Sequence, residues 1–370
     1  MAAPPVTVLV LPSCPEERVS KDPTAVASDQ APSRASWIVR LGWRVKRARR
    51  RALFLVVRGL VLFPMSLLPL GPARRLGSFL GGVAHALSGK SRERTREHLR
   101  IAFQKEKGES FVRITSRDVF RNLGRVGAES LVLDRLGPAW IPRLVSAVEG
   151  EQHLELLRGP GPGAIVLTPH FGQFELLAAW FYGQADGVVV ERRSRGSAFA
   201  EYIRERRARL GIVAVDQSES PRKLLRLLAD GKSVGLLPDQ DIDRLPGIFV
   251  PFFGRDAYTT TAPASLARAA GSPLIPACAR WDGTGYRVII DDPIFVSKTA
   301  DREADVLAGT LAWSRAIEEI IRRDPAQWAW MHQRWKTTPA RLEDKRRRRE
   351  ERRARGAGTL SDLPRREARA

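Results

Sequence analysis

The sequence predicts an α/β fold with a largely parallel central sheet flanked by helices. From Ala164 onward, short apolar runs recur: "AIVLT", "GVVVE", "GIVAV", "SVGLLP", "PLIPACAR" and "YRVIID". Helical stretches separate them: "FELLAAWFYG", "SAFAEYIRERRARLG", "PRKLLRLLADG" and "TTTAPASLARAAGS". Runs this short, bounded by Gly and Pro, fit buried strands, and alternation of strand with helix favours a parallel sheet. A chain of 370 residues that is 43% hydrophobic can hold one large domain or two ordinary ones around a sizeable core.

Taken in order, residues 1–36 are rich in Pro, Ala, Ser and charge without a sustained period, so they read as a disordered tail. Residues 37–75 read as a basic and apolar membrane anchor. "WIVRLGWRVKRARRR" mixes tryptophan with arginine, and "ALFLVVRGLVLFPMSLLPL" follows it. The second run approaches the roughly 20 apolar residues a membrane span needs. Arg58 sits in its middle, Pro64 and Pro69 break its second half, and basic residues flank both ends. A shallow or re-entrant anchor fits better than a clean crossing. The alternative is a pair of buried core helices.

Residues 76–338 form the α/β domain. Its first part, to about 149, reads as helices, because "RLGSFLGGVAHALS" and "SRDVFRNLGRVGAESLVLDRLG" carry apolar residues at i, i+3, i+4 spacing. A last helix from about Asp301 to Arg323 leads into "DPAQWAWMHQRWK". Residues 339–370 are a basic tail, read as a frayed solvated helix followed by disorder.

The net charge of +21 and a pI near 11.0 predict anionic partners: nucleic acid, acidic lipid headgroups or an acidic protein. A basic nucleic-acid-binding protein is the alternative from another class. Against it, no known module motif appears and the aromatics are not interleaved with base-reading patterns. Two cysteines, Cys14 and Cys278, make neither a disulfide framework nor a zinc site of usual spacing.

Chemistry concentrates in "LTPHFGQFELL". His170 follows an apolar strand, and Glu175 follows five positions later as a helix begins. The carboxyl ends of strands are where α/β sheets bind ligands. Residues five apart on one helix do not meet, but His170 in the preceding turn could reach Glu175, with Gly172 supplying the bend. A carboxylate on one ring nitrogen would fix the tautomer and leave the other as a general base. No Ser or Cys in the motif offers a nucleophile, so the substrate's own hydroxyl is the natural proton donor. The residues alone then say acyl transfer or hydrolysis. Asp239, at another strand end, could orient His170 or bind a substrate hydroxyl. "DQDID" lacks the glycine and terminal Glu of an EF-hand, so no metal is expected. "FVPFFG" could line an acyl groove. His332, among tryptophans, reads as packed or interfacial rather than catalytic. Arg192, Arg193, Arg195 and "RERRAR" from Arg204 read as a basic surface suited to phosphates or an acidic protein.

Three ordered blocks extend this reading: "HFGQFE"; then "LLPDQDIDRLPGIFVPFFGRDAYTTTAPASLARAAGSPLIP"; then the ending from Pro325 to Lys336. Together, over about residues 45–338, they closely resemble the bacterial lipid A biosynthesis acyltransferase family, which includes phosphatidylinositol mannoside acyltransferases. His170 and Glu175 match its histidine-x4-acid signature. Asp239, Gln240, Phe252, Phe253, Gly254, Thr260, Leu266, Ala267 and Arg268 match the second block. The resemblance implies a glycerolipid acyltransferase-like fold with an N-terminal membrane-binding helix at the cytoplasmic face of the inner membrane. It implies transfer of an acyl chain from acyl-carrier protein or acyl-coenzyme A, a co-substrate rather than a bound cofactor, to a glycolipid hydroxyl. His170 and Glu175 would be catalytic, and Asp239, Gln240, Arg192, Phe252, Phe253, Gly254 and Thr260 substrate-binding. Arg193 is a register alternative to Arg192, because "VVVERRSRGS" lacks the usual aromatic and Asn-Pro. The acceptor could therefore be another glycolipid or a lysophospholipid.

Overall fold

The structure, a computed structural model, describes residues 45, 48, 49, 51–192, 197–217 and 219–361. The tail read as disordered, most of the Trp37–Arg51 stretch, Arg193 and Arg195 lie outside them. The chain from residue 51 is helical through a π-turn, Arg58–Leu62, and a short helix, Phe63–Leu67, which stops where Leu68 turns extended before Pro69. Helix α1 (Leu70–Leu87) and helix α2 (Gly89–Leu136) follow, with α2 interrupted at Gly108, φ +76°. Small residues let α1 and α2 approach backbone to backbone. A Cβ on Gly77 would strike the Gly124 carbonyl, and one on Gly124 would strike the Gly77 carbonyl.

Seven strands form the main sheet: β1 (Val145–Glu149), β2 (Ile165–Leu167), β3 (Gly187–Glu191), β4 (Ala214–Asp216), β5 (Ser233–Leu236), β8 (Leu274–Trp281) and β9 (Tyr286–Ile290). Their order is β1-β9-β8-β2-β5-β3-β4. Every neighbouring pair is parallel except β8 with β9. A second, two-stranded antiparallel sheet pairs β6 (Gly247–Phe252) with β7 (Arg255–Thr260). The expected largely parallel sheet is thus present.

Two details differ from the sequence reading. β1 lies in the stretch read as helical, because "VSAVE" is a strand only through its pairing with β9, more than 130 residues away in sequence. Thr259 and Thr260, the start of "TTTAPASLARAAGS", belong to β7 and not to the helix that follows.

Helices α3 (Phe174–Tyr182), α4 (Ala198–Arg209), α5 (Pro221–Ala229), α6 (Ala262–Ala270) and α7 (Arg302–Arg323) connect the strands, and α8 (Pro339–Ser361) ends the described chain. The sheet is buried on both faces. Ile165 and Leu167 enter one core with Phe103, Trp313 and Trp328, while Val166 enters the other with Leu176, Leu177 and Trp180. A strand with period-2 geometry and apolar neighbours on both sides must read as an unbroken apolar run, which is why "AIVLT" was legible.

Residues 51–87 leave much apolar surface uncovered: Leu53, Leu60, Phe63, Phe79 and Leu87 are all more than half exposed. No described helix is long and apolar enough to cross a membrane. The same stretch also packs inward, with Gly77 and Gly81 of α1 against the backbone of α2. Phe54 meets Phe199 and Tyr202 edge to ring, and Met65 packs with Ala128, Leu131 and Tyr202.

Candidate active site

Two neighbouring strands deliver the central pair. β2 and β5 run parallel with Leu167 opposite Leu236, so the third residue past each, His170 and Asp239, emerge side by side at the carboxyl edge. The Thr168 N–H donates to the Leu236 carbonyl at 3.1 Å and carries the pairing one step further. Gly172, at φ +53°, then turns the chain into α3. A side chain there would drive into the Ala279 carbonyl.

Asp239 is the acid that holds the histidine. Its Oδ1 lies 2.7 Å from His170 Nδ1, and its Oδ2 accepts from the His170 backbone N–H at 2.9 Å and from Trp328 Nε1–H at 2.8 Å. The side chain is fully buried, whereas that of His170 is 23% exposed. A buried carboxylate costs several kcal/mol unless its lone pairs are satisfied, and three donors satisfy this one. Burial pushes the Asp239 carboxyl up, but the His170 charge and these hydrogen bonds hold it well below the usual carboxylate range. Burial pushes the His170 imidazole down, and the charge and hydrogen bond of Asp239 overcome it, leaving the ring above its ordinary 6.5.

Glu175, expected to orient His170, does not. Arg207 takes its carboxylate instead, with Nε at 3.1 and 3.0 Å and Nη2 at 2.5 Å, while Arg207 Nη1 reaches Glu191 at 2.6 Å. The physical reason is direction: Glu175 sits in the first turn of α3 and faces α4, not the loop before it. Its charge still favours the protonated ring from a distance.

Gln240 meets the expected neighbourhood. Its Nε2 lies 3.2 Å from His170 Nε2 and 3.3 Å from His332 Nε2. His332, read from sequence as packed or interfacial, stands with its ring 5.2 Å from that of His170. Burial pushes its imidazole down, and the His170 charge adds to that. Trp328 is the other residue that sequence reading did not single out. The density of tryptophans in the last block was the available signal.

The remaining predicted residues lie elsewhere. Phe252 and Phe253 are buried in an aromatic cluster with Phe103, Trp328, Trp330 and Trp335, so "FVPFFG" does not line an open groove. Gly254, φ +71°, makes the β6–β7 turn. The Thr260 hydroxyl accepts from the Ala262 N–H at the start of α6. Arg192 is exposed where β3 ends, but "RERRAR" is not a free basic surface. Arg204 lies by Glu191, Arg206 and Arg209 by Asp134, and Arg207 between two glutamates.

An apolar cavity runs beside this site, along the sheet beneath α3. Thr168, Phe174, Glu175, Arg207 and Leu237 line the end near the strands' carboxyl edge, and Phe174 packs 5.3 Å from the His170 ring. Leu157, Tyr182, Ala185, Gly187 and Ser233 line the opposite end. The buried Ser233 hydroxyl there has no hydrogen-bond partner among the described residues.

A histidine held by a buried carboxylate beside an apolar cavity has the groups that general-base acyl transfer to an external hydroxyl requires. The comparisons agree. Residues 42–337 match the family described as bacterial lipid A biosynthesis acyltransferase. The chain is 29% identical over 289 residues to the lipid A biosynthesis lauroyltransferase of Escherichia coli, covering 75% of this chain and 90% of that protein. It is 25% identical to the lipid A biosynthesis palmitoleoyltransferase of Escherichia coli over 71% of this chain and 85% of that one. It is 27% identical over 52% of its length, and 61% of the other's, to the phosphatidylinositol mannoside acyltransferase of Mycobacterium tuberculosis. The protein is an acyltransferase. It belongs to the bacterial lipid A biosynthesis acyltransferase family.

Proposed function

We propose that the protein moves a fatty acyl chain from an acyl thioester, carried by acyl-carrier protein or coenzyme A, to a hydroxyl of a lipid A precursor-type glycolipid. The observation that carries this reading is the Asp239–His170 pair beside the apolar cavity beneath α3, whose lining residue Phe174 packs against the His170 ring. With Nδ1–H donating to Asp239, Nε2 offers its lone pair to the acceptor hydroxyl. As the proton moves to Nε2, the alkoxide oxygen attacks the thioester carbonyl and a tetrahedral intermediate forms. Its collapse breaks the C–S bond, and the proton on His170 Nε2 passes to the departing thiolate. The ester and the free thiol leave the enzyme as it began. Gln240, beside Nε2, supplies a polar group next to the reacting atoms. The acyl chain fills the cavity, each buried CH₂ contributing about 0.8 kcal/mol.

The exposed apolar surface of residues 51–87, with the basic residues around it, supports attachment to the inner membrane's cytoplasmic leaflet, where the acceptor resides. Transfer to a phosphatidylinositol mannoside-like acceptor is the second reading, favoured by the likeness to the mycobacterial enzyme.

The test is transfer of label from acyl-carrier protein or acyl-coenzyme A into purified lipid A precursor, and separately into mannosylated phosphatidylinositol. Wild type and His170→Ala are run side by side. Label reaching the lipid A precursor with wild type alone is the expected result. Transfer that survives His170→Ala refutes the mechanism, and transfer only to the mannoside selects the second acceptor.

A further inference from the structure

Asp239 and Gln240 sit on the loop 237–246 between β5 and β6. Any freedom in this loop would move the acid away from His170 Nδ1 and the amide away from Nε2. Its pins fall on alternate residues. Asp239 is held by His170 and Trp328. At the far end, the Leu245 carbonyl accepts from Tyr258 Oη–H at 2.8 Å and the Pro246 carbonyl from the Thr261 N–H at 3.1 Å.

The middle of the loop is held from the C-terminal segment. Buried Asp241 receives the Thr337 N–H at 2.8 Å and the Thr337 hydroxyl at 2.6 Å. Lys345 Nζ donates to the Asp243 carbonyl at 2.9 Å and lies 3.3 Å from its carboxylate. Burial pushes the Asp243 carboxyl up, and the Lys345 bond with the charges of Lys345, Lys336 and Arg341 brings it below its usual value. Leu342, one turn before Lys345, is buried. Thr337 is the last residue of the family match, so Leu342 and Lys345 lie on a helix beyond the part shared with the family.

We infer that α8 is a strap that fixes the active-site loop, with Lys345 as the positioning residue that keeps Asp239 and Gln240 in register with His170. Three of the loop's side chains, at positions 239, 241 and 243, are tied to different elements, and Gln240 lies between two of them. Without α8 the loop keeps its ends and the Asp241–Thr337 bonds and loses the Lys345 pin at position 243. That is the arrangement in which a catalytic loop opens locally while the domain stays folded.

The inference rests on the proposed reaction for its kinetic arm only, so the test has two readouts. The full-length protein, Lys345→Met, Lys345→Arg and a chain ended after Thr338 are compared. Amide hydrogen exchange of peptides covering 237–246 is read against peptides covering 165–180 and 274–290. Steady-state transfer is measured with donor and acceptor varied in turn. Loss of a half-exposed charged hydrogen bond predicts about three- to tenfold faster exchange of the loop in Lys345→Met, and more in the shortened chain, with the other peptides unchanged. Turnover falls by a similar factor while both KM values stay within about twofold, because substrate contacts remain. Lys345→Arg restores both.

Unchanged loop exchange in the shortened chain overturns the strap. Faster exchange with unchanged turnover overturns the positioning role. A rise in KM alone overturns it too, and points instead to substrate docking on α8. If wild type shows no transfer, the proposed reaction fails, and the exchange readout still decides the strap.

Discussion

Asp239→Asn is the sharpest perturbation of the site. The substitution keeps the shape and removes the charge. Three donors converge on the carboxylate, two of them on Oδ2: the His170 backbone N–H and the Trp328 indole. The Asn carbonyl oxygen must take that position, since an amide NH₂ would face two N–H groups. The NH₂ then faces His170 Nδ1, 2.7 Å away in the native pair. The ring must accept there, so its proton moves to Nε2 and the lone pair that serves as base is lost. Inverted tautomers and lost general-base catalysis cost about 10²- to 10⁴-fold in turnover, or about 3–5 kcal/mol of transition-state stabilisation.

The pH dependence provides a second, independent reading. A base whose pKa lies above 6.5 must lose its proton before it works, so wild-type activity rises with pH along an acid limb centred above 6.5. In Asp239→Asn the charge that raises the ring is gone and burial, which lowers it, remains. The residual activity should therefore show a limb below 6.5. The assay is initial-rate transfer of labelled acyl chains across pH 5–9 at saturating donor and acceptor. An Asp239→Asn enzyme within about threefold of wild type, or one whose acid limb stays in place, would refute the assignment of Asp239 as the partner of the base.

Three further outcomes follow from other parts of the molecule. Glu175→Gln and Arg207→Met should each lower activity and thermal stability, and the double variant should lose less than the sum, with a coupling of about 1–3 kcal/mol, because Arg207→Met strands the Glu175 carboxylate, whereas Arg207 keeps Glu191 when Glu175 is neutralised; full additivity in a double-mutant cycle would mean that the observed pairing contributes nothing. Ser233→Leu should fill the end of the cavity away from His170 and shift preference toward shorter acyl chains, with kcat/KM for a chain two carbons too long falling about 15-fold; an unchanged chain-length profile would place the acyl chain elsewhere. Gly124→Val should force α1 from α2 and cost about 2–4 kcal/mol, read by denaturant or thermal unfolding of solubilised protein; a variant as stable as wild type would refute the backbone contact with Gly77.

How far the sequence reached is clearest residue by residue. Strand β2 was legible because burial on both faces leaves no polar position, and α3 because its first turn follows a glycine bend. β1 was not, since a five-residue segment with mixed exposure becomes a strand only by pairing with a distant partner. His170 stood out by its place at a strand end. His332 did not, because nothing local distinguishes a histidine packed among tryptophans from one facing another histidine across the domain. The arginines of α4 looked like one basic face, yet each meets a carboxylate supplied by another element.

The order of apolar runs and helices, the three signature blocks and the positions of the titratable groups are written in the chain, and they suffice for the α/β fold and the acyltransferase family. The pairing of those groups is not. Which acid serves His170 depends on the register of β2 against β5, which sets Asp239 beside the ring from 69 residues away while Glu175, five residues away, turns to Arg207. Hydrogen bonds reward geometry over fractions of an ångström, whereas closeness along a chain constrains direction hardly at all. That is why the acid nearest in sequence and the acid nearest in space are different residues.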